Sequence, residues 1–155
     1  MIAGVIAFSG CTTTTTNNTN STYSSDQSNS ASNTFENKFV SFTKPNGNLK
    51  IEDQSTDNKV DVMFYDGDKL IGQIVSATTT DENIEGMITL SNGNTTIAGQ
   101  NAATYSDSAA VGAYIFIPDN SNGEKMIIHI DFDPSFSTAF NTIKDSLVIK
   151  QYPNE

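Results

Sequence analysis

Arginine and tryptophan are missing from this chain of 155 residues, and cysteine and histidine occur once each, as Cys11 and His129. Each shortage closes off a class of function. Without arginine there is no bidentate fork for phosphate, and eight lysines against eighteen acids leave a formal charge of −10. Such a surface repels phosphate backbones and anionic headgroups, so nucleic acid is not an expected partner. One cysteine cannot close an intramolecular disulfide, so the fold must stand on its core. One histidine leaves little for a hydrolytic triad. His129 alternates with Lys125 and Asp131 along one strand face, which reads as solvent-facing polarity before it reads as a base. No Gly-x-Ser-x-Gly elbow, phosphate-cradling glycine loop, His-Glu-x-x-His helix or Gly-x-Gly-x-x-Gly turn is present. The chain is therefore expected to be non-enzymatic and to carry no cofactor.

A long apolar run is lacking too. Met1-Ile2-Ala3-Gly4-Val5-Ile6-Ala7-Phe8 is far too short to cross a bilayer. It fits the apolar region of a secretory signal, and Ser9-Gly10-Cys11 directly after it resembles the lipobox of prokaryotic lipoproteins. That resemblance implies cleavage before Cys11, a lipid on its sulfur, and a protein anchored to the outer face of the cell membrane. The positive charge that normally precedes such a run is not written here. A Lys/Arg-bearing segment upstream of Met1 is therefore expected.

Residues 12–34 are almost entirely Thr, Ser and Asn, with Tyr23 and Ala31 the sole apolar side chains. Ordering such a segment costs conformational entropy with nothing buried in return, so it reads as a disordered tether. As a flexible coil its mean reach is roughly 25–30 Å. Asn17 and Asn20 open glycosylation sequons there, and Asn94 opens a third further on.

From Phe35 the texture changes, and 35–152 reads as one domain. Asn37 to Phe42 predicts a first strand, stopped by Pro45-Asn46-Gly47, and Leu49-Lys50-Ile51 a short partner. Lys59 to Phe64 alternates, with Val60, Val62 and Phe64 on one face. Asp66-Gly67 signals a hairpin, followed by a strand from Lys69 to Ala77. Asp81 to Ile88 predicts a short helix capped by Thr80 or Asp81. Two short strands flank Ala98-Gly99-Gln100, and two long ones follow at Val111–Ile117 and Lys125–Phe132. In the second of these Met126, Ile128, Ile130 and Phe132 share one face. Asp133 then suits a helix cap and Pro134 the first helical position. Phe136, Phe140, Ile143 and Leu147 follow as a stripe for a sheet face, and Leu147–Lys150 closes the chain as a strand. The fold class is α+β, a mostly antiparallel sheet packed by one or two helices.

Carboxylates are the plentiful reactive groups. Asp131 and Asp133 stand two apart, as a cation pair would, yet a helix cap is the better account of Asp133. Asp119 to Glu124 has calcium-loop flavour, but its glycine falls one position early for an EF-hand and a distant bidentate glutamate is missing. Asp66-Gly67-Asp68 is likewise a turn before it is a ligand set. No metal site is expected. If Val111, Ala113, Ile115 and Ile117 face the core, Gly112, Tyr114 and Phe116 face away from it, beside Ile127 and His129. Tyr114, Phe116, Ile127 and His129 would then form an apolar strip on the second sheet face, covered by a helix or the N-terminal segment, or open as a docking face.

The order of these pieces resembles the PsbP/Mog1-like fold, and in particular PsbP-like lipoproteins of methanogenic archaea. Phe35-Glu36-Asn37 through Phe42-Thr43-Lys44-Pro45 is similar to that family's F-x-N … F-x-x-P opening. Asn94 to Ala102 resembles its central hairpin, Tyr114 to Ile117 with Met126 to Ile128 its paired long strands, and Phe140 to Ile149 its closing helix and strand. The likeness spans most of 35–150 and implies an α/β/α sandwich and an extracytoplasmic location. The family's photosynthetic relatives are extrinsic subunits of photosystem II, but no residue here carries that role over. The combined expectation is a membrane-tethered protein whose domain binds or supports another protein, or alternatively captures a small ligand between sheet and helix.

Overall fold

The computed structural model describes residues 32–118 and 125–152, which belong to one compact unit. Cys11, Asn17, Asn20, nearly all of the tether and the 119–124 loop lie outside the described residues.

Among the described residues, ten strands and two α-helices follow in chain order. They are β1 (Thr34–Glu36), β2 (Val40–Thr43), β3 (Lys50–Asp53), β4 (Asp61–Asp66), β5 (Lys69–Thr79), α1 (Asp81–Thr89), β6 (Gly93–Ile97), β7 (Gln100–Ser106), β8 (Val111–Ile117), β9 (Lys125–Phe132), α2 (Ser137–Ser146) and β10 (Val148–Ile149). A seven-stranded sheet has the order β3-β4-β5-β9-β8-β7-β6, and a three-stranded one β1-β2-β10. Every pairing of these strands is antiparallel. The fold is thus α+β and mostly sheet, as the alternating strands and the α2 stripe predict.

The strand boundaries and turns depart from the sequence reading for local reasons. The expected first strand, 37–42, is broken at its start. Asn37 Oδ1 accepts from the amides of Phe39 and Val40, both at 2.9 Å, and this side-chain turn competes successfully with extension. A hairpin results, with β1 starting at Thr34 inside the expected tether and Phe35 stacked on its cross-strand partner Phe42 at 4.8 Å. The β4–β5 hairpin turns over Gly67-Asp68, one residue later than Asp66-Gly67, with Gly67 at φ 60°. The β6–β7 turn is Ala98-Gly99, both residues at positive φ, so Gln100 already belongs to β7.

The large sheet's first face makes the core. Val60, Val62, Phe64, Ile74, Ala113, Ile115, Ile128, Ile130 and Phe132 are all essentially inaccessible. Phenylalanine rings run from the small sheet into the large one, Phe42 to Phe64 at 5.7 Å and Phe64 to Phe132 at 5.0 Å. Gly72 makes room for this chain, because a Cβ there would lie 2.4 Å from the Phe132 ring.

α2 closes this face. Asp133 Oδ1 accepts from the Ser135 amide at 3.0 Å, with Pro134 in the first turn as expected. That turn is a 3₁₀ segment, Pro134–Phe136, which leaves Phe136 half-buried and begins the α-helix at Ser137. Ala139, Phe140 and Ile143 are the buried residues of α2, with Leu147 buried just beyond it. The Thr43 amide donates to Ser146 Oγ at 2.9 Å, tying the helix end to β2.

α1 lies on the opposite side. It occupies the connection from β5 to the edge strand β6, over the second face. Thr80 Oγ1 accepts from the Asn83 amide at 3.3 Å as its cap, and Asp81 pairs with Lys125 of β9 at 3.2 Å. Unlike α2, it buries none of its residues.

Candidate functional site

The second face of the large sheet is set by register. Opposite Gly112 of β8 stand Tyr105 of β7 and Asp131 of β9. In the next row of that face Tyr114 stands between Ala103 and His129. Because Gly112 has no side chain, the Tyr105 ring reaches across it, and a Cβ at Gly112 would lie 2.3 Å from the phenolic oxygen.

That reach joins three polar groups. The Tyr105 hydroxyl donates to Asp131 Oδ1 at 2.7 Å and lies 2.7 Å from His129 Nε2. A carboxylate only accepts, so the single phenolic proton goes to Asp131 and the Nε2–H of His129 donates to the phenolic oxygen. Tyr114 stacks on the His129 ring at 4.6 Å and 16°, and the two tyrosine rings are 5.3 Å apart. Burial, then the hydrogen bond to Asp131, pushes the Tyr105 phenol far above its ordinary range. Burial also lowers His129 below its usual 6.5, against the opposing pull of Asp131. At neutral pH the phenol and the imidazole are therefore both uncharged.

Above the tyrosines lies a cleft of about 630 Å³, lined by Glu82, Asn83, Gly86, Met87 and Leu90 from α1 and its C-terminal end, and by Tyr105, Asp107 and Tyr114 from the sheet. It stays open because α1 fully buries no side chain there, and Leu90 just beyond its end is 84% exposed. At the rim, Asp107 Oδ1 accepts from the amides of Ala109 and Ala110 at 2.7 and 3.0 Å, which fixes the β7–β8 loop and holds this carboxyl below its ordinary range.

The four residues of the expected strip share the second face in adjacent rows, Tyr114 opposite His129 and Phe116 opposite Ile127. Tyr114 and His129 come together in the site, whereas Ile127 is buried at 5% exposure and Phe116 is half-buried in the next row. Asn94 is exposed on the edge strand β6, accessible to modification. Asp131 and Asp133 take different partners, the first Tyr105, the second Ser135 and Lys69 at 2.9 Å. Among the described residues no three metal-ligating groups converge.

Tyr105, Asp107 and the α1 residues were not singled out from the sequence. A usable signal for Tyr105 existed: folding β7 onto β8 through 107–110 places it opposite Gly112, the one gap on that face. No such signal marks α1, whose role depends on what it leaves unfilled. No family model, curated protein or solved structure matches this chain.

Proposed function

We propose that this chain is a non-enzymatic, lipid-anchored protein of the extracytoplasmic membrane face, with a PsbP-like domain that binds its ligand in the cleft beneath α1. The observation that carries the binding reading is the cleft of about 630 Å³ between α1 and the paired tyrosines, a volume within the range of small-ligand sites. The Tyr105 phenol below it supports binding rather than catalysis. A nucleophile or base must ionise or accept a proton readily, and here Tyr105 is held protonated. Location rests on the sequence alone, on the apolar run and Ser9-Gly10-Cys11.

Docking of a larger protein partner along the same face is the second reading, favoured by the 84% exposure of Leu90 at the cleft edge. A photo-cross-linking residue placed at Leu90 in intact cells separates the two. A small-molecule adduct supports capture in the cleft, and one dominant protein adduct supports docking. The control is Asn141, exposed on α2; equal labelling from both positions would contradict a second-face site. The anchor is tested separately by Cys11→Ser in the full precursor, which should release the protein from membranes. Persistent retention would count against lipidation.

A further inference from the structure

We propose that the cleft beneath α1 takes an organic cation, a protonated or quaternary amine with a small apolar body. This rests on the cleft being the binding site, and adds the chemical class of what enters it.

Three features of the lining point the same way. Among the described residues its two charged members, Glu82 and Asp107, are both acids, and no lysine lines it. Seven of the eight lysines are engaged elsewhere: Lys38, Lys50, Lys59, Lys69, Lys125, Lys144 and Lys150 each pair with a carboxylate outside the cleft. Beside the acids stand two aromatic rings and a thioether, Tyr105, Tyr114 and Met87, with Asn83, Gly86 and Leu90 completing the lining.

These groups discriminate between ligand classes. An anion would meet two carboxylates on a chain of net charge −10. A neutral apolar molecule would bury against Met87 and the rings but would offer Glu82 and Asp107 nothing in exchange for the water it displaced from them. A cation relieves the acids and is attracted to the negative faces of the tyrosine rings. The hydrogen bonds to Asp131 and His129, both at 2.7 Å, hold Tyr105 in place before anything binds, which spares the ligand the cost of ordering it.

The test is calorimetric titration of the full chain at low salt with acetylcholine, and with its neutral carbon isostere in which a tert-butyl group replaces the trimethylammonium. The two probes have the same shape and differ in charge. Acetylcholine should bind, and the isostere at least about tenfold more weakly. Paired Glu82→Gln and Asp107→Asn substitutions should remove most of that difference. The side-chain amide oxygen left by the second substitution can still accept from the Ala109 and Ala110 amides, so the loop is retained. Equal affinity for both probes, or undiminished acetylcholine binding by the double variant, would overturn the cation assignment while leaving the cleft as a site. Binding of neither probe at millimolar concentration would overturn the cleft reading as well.

Discussion

The two faces of the large sheet are each crossed by one helix, with opposite results. On the first face α2 sinks Ala139, Phe140 and Ile143 into a core of phenylalanine and isoleucine. On the second, α1 spans a comparable distance, nine residues against ten, and sinks none. Even the glycines mirror this contrast. Gly72 admits the Phe132 ring to a dry interior, and Gly112 admits Tyr105 to a hydrogen-bonded chain at the floor of a cleft. A face filled to native density contributes stability, whereas a face filled only in part, as the second is around its cleft, provides space for a ligand at some cost in stability. The difference gives the first face to folding and leaves on the second the space that the proposed function uses for a ligand.

The contrast breaks most visibly through Phe140→Ala. With Phe140 at 4% exposure, the substitution should cost about 3–5 kcal/mol in denaturant unfolding. A loss below about 1 kcal/mol would mean that α2 does not close the core. On the second face the largest expected effect is polar. Tyr105→Phe leaves Asp131 and His129 without their shared partner, and should cost about 1–2 kcal/mol given their partial exposure. No loss would show the chain of hydrogen bonds to be incidental.

The same residues impose a pH signature. His129 is depressed in the folded state, so its contribution is present above the ordinary 6.5 and lost as pH falls through the folded value. Tyr105 is raised, so its contribution is present below the ordinary 10.0 and lost as pH rises beyond that. Stability against pH should fall on both sides of a plateau between these values, and Tyr105→Phe should flatten the alkaline arm. An unchanged alkaline arm in that variant would assign the loss to other groups. The smallest effect is expected at the roof. Leu90→Ser should change stability by less than about 0.5 kcal/mol, because Leu90 buries almost nothing. A larger loss would mean that α1 packs more tightly than its exposed side chains indicate.

What was legible in the sequence follows this division. The core face announced itself, because burial on one side of a strand imposes period two and burial on one side of a helix imposes a stripe. Val60, Val62, Phe64 and the long strands Val111–Ile117 and Lys125–Phe132 therefore lie where their patterns put them. Asp133 and Pro134 marked the approach to α2 for the same local reasons, although the stripe did not reveal that the first turn would be 3₁₀. The second face was only half legible. Tyr114 and His129 were placed on it by alternation, but nothing local linked them to Tyr105, twenty-four residues before His129 in sequence. That link exists through register and through the missing side chain of Gly112. The cleft was illegible altogether, since α1 has an ordinary cap and length, and its failure to bury residues appears only once it is laid on the sheet.

The most direct test of the binding face is methyl NMR on methionine-labelled full chain, because Met87 lines the cleft and Met126 is buried in the core. Titration with acetylcholine should move the Met87 methyl resonance and leave Met126 in place. Movement at Met126 without Met87, or at neither, would contradict a binding site on the second face.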